Sequence, residues 1–269
     1  MHKKEDVYSS IIFFNAVLPL MKVIANDVPD LKKKFNGMNA VIQVSAVDPE
    51  YKGGKRSTCF FIKNGEWTVK LDTVHDAPDV EIGFNSIEAM NGFFKGKMNL
   101  KTLPRKIKGL PAKAKEFAAF VAVLLKMSSL LSATEPPKDK KSKELMVKCF
   151  FYLLSTGISQ LNKAGHAEIH DWALKSPDRV YGWAVDGYPG VSAHMRVKEG
   201  LTKAGRGNYT KAMTFFTLRF NSLDSALGIL LDTDDMLEAV KAGRLIMDGA
   251  PEFGGQIGGF MLEVGALAK

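Results

Sequence analysis

Cysteine is nearly absent: the 269 residues include two, Cys59 and Cys149. Two thiols cannot build a disulfide scaffold, and their separation fits no metal-ligand motif, so a reducing, cytoplasmic setting is expected. A long apolar run is missing as well. The stretch from Ile11 to Ile24 is interrupted by Asn15, Pro19 and Lys22, and the one from Phe117 to Leu131 is short and contains Lys126. A bilayer core needs about 20 apolar residues in a helix, so both read as buried or interfacial helices. Lys3 and Lys4 ahead of Ile11 resemble the start of a signal peptide. Glu5 and Asp6 spoil that positive region, and no small-x-small cleavage site follows. A soluble, unprocessed chain is expected.

The common marks of chemistry are missing too. No P-loop and no dinucleotide fingerprint occur. His2, His75 and His194 have no Ser, Cys or Asp partner in a recognisable nucleophile motif. His166 and His170 share a helical face, but Ala167 stands where a zinc protease needs Glu. The acidic group Asp232, Asp234, Asp235 and Glu238 lacks the glycine and spacing of a calcium loop and suits a first helical turn instead. The sequence therefore points to no catalytic residue, no metal and no cofactor, and to a protein that is not an enzyme.

What is present is an ordinary folding composition: 46% hydrophobic, 25% charged and 10% aromatic residues. The formal charge of +8 favours a negatively charged partner. It is uneven, because residues 1–135 hold net +6 and the remainder net +2.

The chain also echoes itself. Phe84-Asn85-Ser86-Ile87-Glu88 returns as Phe220-Asn221-Ser222-Leu223-Asp224. Phe13-Phe14 matches Phe150-Phe151, Gly65 matches Gly200, and Gly109-Leu110-Pro111 matches Gly249-Ala250-Pro251, all at nearly the same offset. Two divergent copies of one unit explain this. The expected division is 1–133, a linker over 134–143 marked by Pro136, Pro137 and a charge run, and 144–269.

Inside each copy the order of elements agrees. The first reads as a helix over 6–25, strands over 41–47, 56–63, 66–71 and 79–84, a short helix over 86–94, a strand near Ile107 and a helix over 111–131. Asn64-Gly65 is a two-residue hairpin signal. The second reads as a helix over 143–175 broken near Gly157 or Gly165. Strands follow over 180–186, 191–198, 201–206 and 215–220. Helices over 222–231 and 234–242, a strand over 244–248 and a helix after Pro251 complete it. This is an α+β unit, a mostly antiparallel five-stranded sheet with helices covering one face.

The closing run Phe216-Thr217-Leu218-Arg219-Phe220, a helix over 222–231, a second short helix ending at Gly243, Gly243-Arg244-Leu245-Ile246-Met247-Asp248-Gly249 and a final helix resembles the sterol carrier protein 2 family. The first copy keeps less of it, the fourth strand and the helix through Gly96, then Ile107-Lys108-Gly109. The resemblance implies two sterol-carrier-like units, an apolar cavity between sheet and helices, and an apolar lipid as partner. It implies no cofactor. Expected cavity walls in the second copy are Phe216, Leu218, Phe220, Leu227, Leu230, Met236, Leu237, Phe260 and Met261. In the first they are Val80, Ile82, Phe84, Met90 and Phe94.

Two basic segments are further candidates. Lys203 and Arg206, set among Gly200, Gly205 and Gly207, form a candidate head-group cradle. From Lys95 to Lys115 there are eight Lys or Arg and no acid before Glu116, with aliphatic residues interleaved. Lys101, Arg105, Lys106 and Lys108 in it are candidates for an anionic membrane surface. No aromatic residue is available there for base stacking, which argues against nucleic acid. Asn85-Ser86 and Asn221-Ser222 read as helix caps. The expectation is a lipid-binding or lipid-transfer protein. The alternatives are a non-catalytic interaction or regulatory protein with filled cavities, and an accessory subunit of an enzyme acting on hydrophobic substrates. Oligomeric state is not readable from the sequence.

Overall fold

The structure, a computed structural model, describes residues 1–269 and divides into two compact units, Met1–Ser129 with Leu267–Lys269, and Leu130–Ala266. Each holds one five-stranded sheet.

In the first unit a helix runs from α1 (Lys4–Ile12) through a π-turn (Phe13–Val17) into α2 (Leu20–Asp27). The local cause is Pro19, which has no N–H to donate. Leu18 N–H reaches back five residues to the Phe13 carbonyl at 2.9 Å. The Phe14 carbonyl is taken instead by the Thr58 hydroxyl at 2.6 Å, from the sheet. The helix from Lys4 to Asp27 is long and apolar enough to cross a membrane, but 72% of its apolar window is buried inside the protein. A short helix α3 (Pro29–Lys34), not foreseen from the sequence, follows; Pro29 sits at its start, where a proline costs no hydrogen bond.

Strands β1 (Ala40–Val47), β2 (Lys55–Lys63), β3 (Glu66–Leu71), β4 (Val80–Phe84) and β5 (Lys106–Lys108) lie in the order β3-β2-β1-β4-β5. Helix α4 (Ile87–Phe94) connects β4 to the segment before β5, and α5 (Ala114–Leu131) closes the unit. The Ser86 hydroxyl caps α4 by accepting from Ala89 N–H.

The second unit comprises α6 (Lys140–Lys163), α7 (Ala167–Lys175), β6 (Arg179–Val185), β7 (Ala193–Lys198), β8 (Leu201–Arg206), β9 (Phe216–Phe220), α8 (Leu223–Leu230), α9 (Met236–Lys241), β10 (Leu245–Gly249) and α10 (Gly254–Ala268). Its strand order, β8-β7-β6-β9-β10, is that of the first unit. Helix α6 starts at Lys140 with Asp139 as its cap, so the last four residues expected in the linker are helical. The break expected near Gly157 or Gly165 falls at Gly165.

Each sheet is mixed. Three neighbouring pairs are antiparallel, and one central pair, β1 with β4 or β6 with β9, is parallel. A meander of three strands followed by a crossover to the far side of the first strand requires that. The register repeats too: Ile42 faces Val80 in one unit and Tyr181 faces Phe216 in the other. After the strand at the β4 or β9 edge, Gly109 (φ +105°) and Gly249 (φ +100°) turn the chain. A Cβ on either would lie 2.5 Å from the Asp79 carbonyl oxygen or 2.2 Å from that of Phe215. Only glycine fits.

The helices cover the inner face of each sheet. In the first unit Phe60 packs edge-on against Trp67 and Phe120, and Phe84 meets Phe93 and Phe94. In the second, Phe151 stacks on Phe220 and Trp183 donates its indole N–H to Met261 Sδ at 3.3 Å.

Candidate ligand site

The expected cavity walls fall into three groups. Phe216, Leu218, Phe220, Leu227, Phe260 and Met261 are buried on the inner side of the second sheet, as are Val80, Ile82, Phe84 and Met90 in the first. Leu230, Met236 and Phe94 are half-buried. Leu237 is 61% exposed and does not belong with them. The short α9 buries Ala239, and Leu237 lies on its opposite side.

The second unit has an open cleft of about 390 Å³ lined by Trp172, Arg179, Phe253 and Ser176, with Lys175, Glu168, Asp171 and Gln256 at its polar parts. Trp172 and Lys175 come from α7; Arg179 begins β6; Phe253 lies in the 3₁₀ turn that Pro251 starts before α10. The Arg179 guanidinium sits 4.0 Å from the ring centroid of Phe215 and 4.8 Å from that of Phe253. Such cation–π contacts hold a cation at an apolar wall.

An aromatic chain leads inward from the cleft. Trp172 touches Phe260 and Tyr181 at ring-centroid distances of 5.1 and 5.4 Å, and Tyr181 is 6.4 Å from Phe216. Burial pushes the Tyr181 phenol above its usual pKa, opposed in part by Arg179 and Ser176. The phenol oxygen is buried and has no hydrogen-bond partner within the protein. The sequence reading missed Trp172, Arg179 and Phe253, because they come from three separated elements with no shared period.

The outer faces differ between the units at matching positions. In the first, Glu81 on β4 is 2% exposed. It accepts from Gln43 Nε2 and Ser45 Oγ, each at 2.9 Å, from Lys106 Nζ at 2.8 Å, and from Lys55 Nζ. Burial alone would raise its pKa. The donors, led by Lys106 and Lys55, outweigh that and hold it at about 2. The Gln43 amide oxygen accepts from His75 N–H and from Cys59, so the crossover from β3 to β4 is tied down. By register, Gly182 stands where the first unit has Gln43, and Thr217 where it has Glu81. The smaller pair leaves a hollow of about 270 Å³ under the crossover at 207–215, with His194 and Tyr209 in its lining.

The proposed cradle of Lys203 and Arg206 does not form. An offset of three along a strand puts side chains on opposite faces. Arg206 lies over the Tyr152 ring at 5.0 Å, on the helix side, while Lys203 is exposed. Lys101 and Lys108 are exposed without an ion pair; Lys106 is bound to Glu81, and the Arg105 guanidinium donates to the Leu100 carbonyl at 2.7 Å. His166 pairs with Glu263 and His170 with Asn162. Asp235 caps α9 and Asp234 binds Arg244.

No family model matches the chain, and no curated protein matches it. Among solved structures, one titled "UbiJ-SCP2 Ubiquinone synthesis protein" is similar over 44% of this chain and 96% of its own, at 16% identity and a TM-score of 0.28.

Proposed function

We propose that the protein is a non-enzymatic lipid-binding or lipid-transfer protein built from two copies of a sterol-carrier-like unit, working in the cytoplasm, with the second unit holding the ligand. The observation that carries this is the cleft at Trp172, Arg179 and Phe253. It joins an apolar aromatic wall to a charged rim, and its rings continue into the inner layer of the sheet. The volume is within the range of about 300–1,000 Å³ usual for small-molecule sites. An amphiphile would lay its apolar part against Trp172 and Phe253 and its polar end among Arg179, Lys175 and the two acids. Each methylene buried contributes about 0.8 kcal/mol.

Extraction of the purified protein followed by mass spectrometry should recover a bound amphiphile. Titration with a fluorescent fatty acid should saturate, and Trp172→Ala should weaken it roughly tenfold, the cost expected for losing one large aromatic wall. Repeatedly empty protein that takes up no fatty acid would sink this reading.

The second reading, an interaction protein whose inner layers are filled, draws on the complete burial of Phe216, Leu218 and Phe220. It predicts recovery of a protein partner with no lipid.

A further inference from the structure

We infer that the loop between α4 and β5 in the first unit is a docking surface for anionic membranes. Three large aliphatic side chains stand out from it: Met98 (71% exposed), Leu100 (76%) and Leu103 (40%). Around them Lys97 and Lys101 are exposed and make no ion pair. Aliphatic side chains left in water are a cost unless something covers them.

This loop is built, not slack. Thr102 is its hub, 9% exposed. Its hydroxyl donates to the Lys97 carbonyl at 2.5 Å and accepts from Asn99 N–H at 2.9 Å. The Asn99 side chain in turn accepts from Lys101 N–H at 2.9 Å. Thr102 also seats against α4 where Gly92 has no side chain; a Cβ there would lie 2.6 Å from Thr102 Cγ2. Both ends of the loop are held as well: Lys97 N–H donates to the Gly92 carbonyl at 2.8 Å and Arg105 N–H to the Gly83 carbonyl at 2.9 Å.

The fold does not require this charge. The matching segment of the second unit, between α8 and β10, carries Asp232, Asp234, Asp235 and Glu238 against Lys241 and Arg244. One position in the fold is thus acidic in one unit and basic in the other. Cations with interleaved aliphatics suit a surface that offers phosphates above hydrocarbon. A nucleic acid offers the phosphates without the hydrocarbon, and the loop has no aromatic ring for bases to stack on.

The test is flotation of the full chain with vesicles of phosphatidylcholine alone, and with vesicles in which a third of the lipid is phosphatidylserine. Wild type should float with the anionic vesicles and not with the neutral ones. Lys97→Ser and Lys101→Ser combined should weaken this roughly tenfold or more, as removal of two surface cations implies. Met98→Ser, Leu100→Ser and Leu103→Ser combined should weaken it comparably. Lys106 and Arg105 are kept because they hold structure, and unchanged thermal melts check that the variants fold.

Because Cys59 and Cys149 are buried, a Met98→Cys variant can take an environment-sensitive dye at that position alone. The dye should shift to the blue on anionic vesicles. Equal flotation with both lipids, wild-type flotation of the aliphatic variant, or no blue shift would each overturn the proposal. Trp172→Ala should float like wild type, which separates this surface from the ligand site.

Discussion

Glu81 gathers four donors around one buried carboxylate. Glu81→Gln would leave Lys55 and Lys106 without their anion. The expected loss is about 2–3 kcal/mol, less than for a fully buried pair because Lys106 reaches water. The folded pKa of about 2 lies below the ordinary 4.5. Such a group stabilises fully above pH 4.5, and its contribution disappears as pH falls through 2. Melting temperatures of wild type and Glu81→Gln should therefore differ most near neutrality and converge in acid. A gap that stays constant down to pH 2 would contradict the assignment. Gly249→Ala is a second test at this scale: a positive φ and a Cβ driven onto the Phe215 carbonyl should cost at least about 2 kcal/mol, and Gly109→Ala should behave alike.

At the scale of elements, the helix from α1 to α2 depends on a strand. Thr58→Val keeps the side-chain shape but strands the Phe14 carbonyl, at an expected cost of about 1–3 kcal/mol. Hydrogen exchange in residues 14–20 should speed up in that variant before the rest of the unit responds. The strand boundaries could be read from the sequence to within a residue or two. Alternation such as Val80, Ile82 and Phe84 is enforced by a sheet with one apolar face, the other carrying the polar Gln43 and Glu81. The parallel central pair could not be read, since pairing sense depends on where a crossover lands and not on local period. α3 was missed because its six residues are too few for a periodic signal. At the site, the inner-face residues were visible as alternating apolar positions. The cleft was not, because Trp172, Arg179 and Phe253 meet only once α7, β6 and the turn before α10 have packed. The failed pairing of Lys203 with Arg206 is of another kind: strand period alone already placed them on opposite faces.

At the scale of the molecule, the two units share strand order and register while their surfaces have diverged. The first fills its outer face with Gln43 and Glu81 and sets out a basic, aliphatic loop. The second has the smaller Gly182 and Thr217 at that outer position and carries the cleft at Trp172, Arg179 and Phe253. Both thiols are buried, and burial raises the pKa of Cys59 further. Native protein should therefore react with less than one equivalent of a thiol reagent over minutes, and with two after denaturation. Rapid uptake of two equivalents by folded protein would contradict the packing around β2 and α6.

The Thr58 hydroxyl on the Phe14 carbonyl also orders events in time. The two residues are 44 positions apart, so while the chain is being synthesised the first helix emerges long before the group that completes it. Until β2 has been made and has paired, the Pro19 turn has a carbonyl with only water to bind. The helix that precedes the sheet therefore cannot reach its final geometry before β2 is in place.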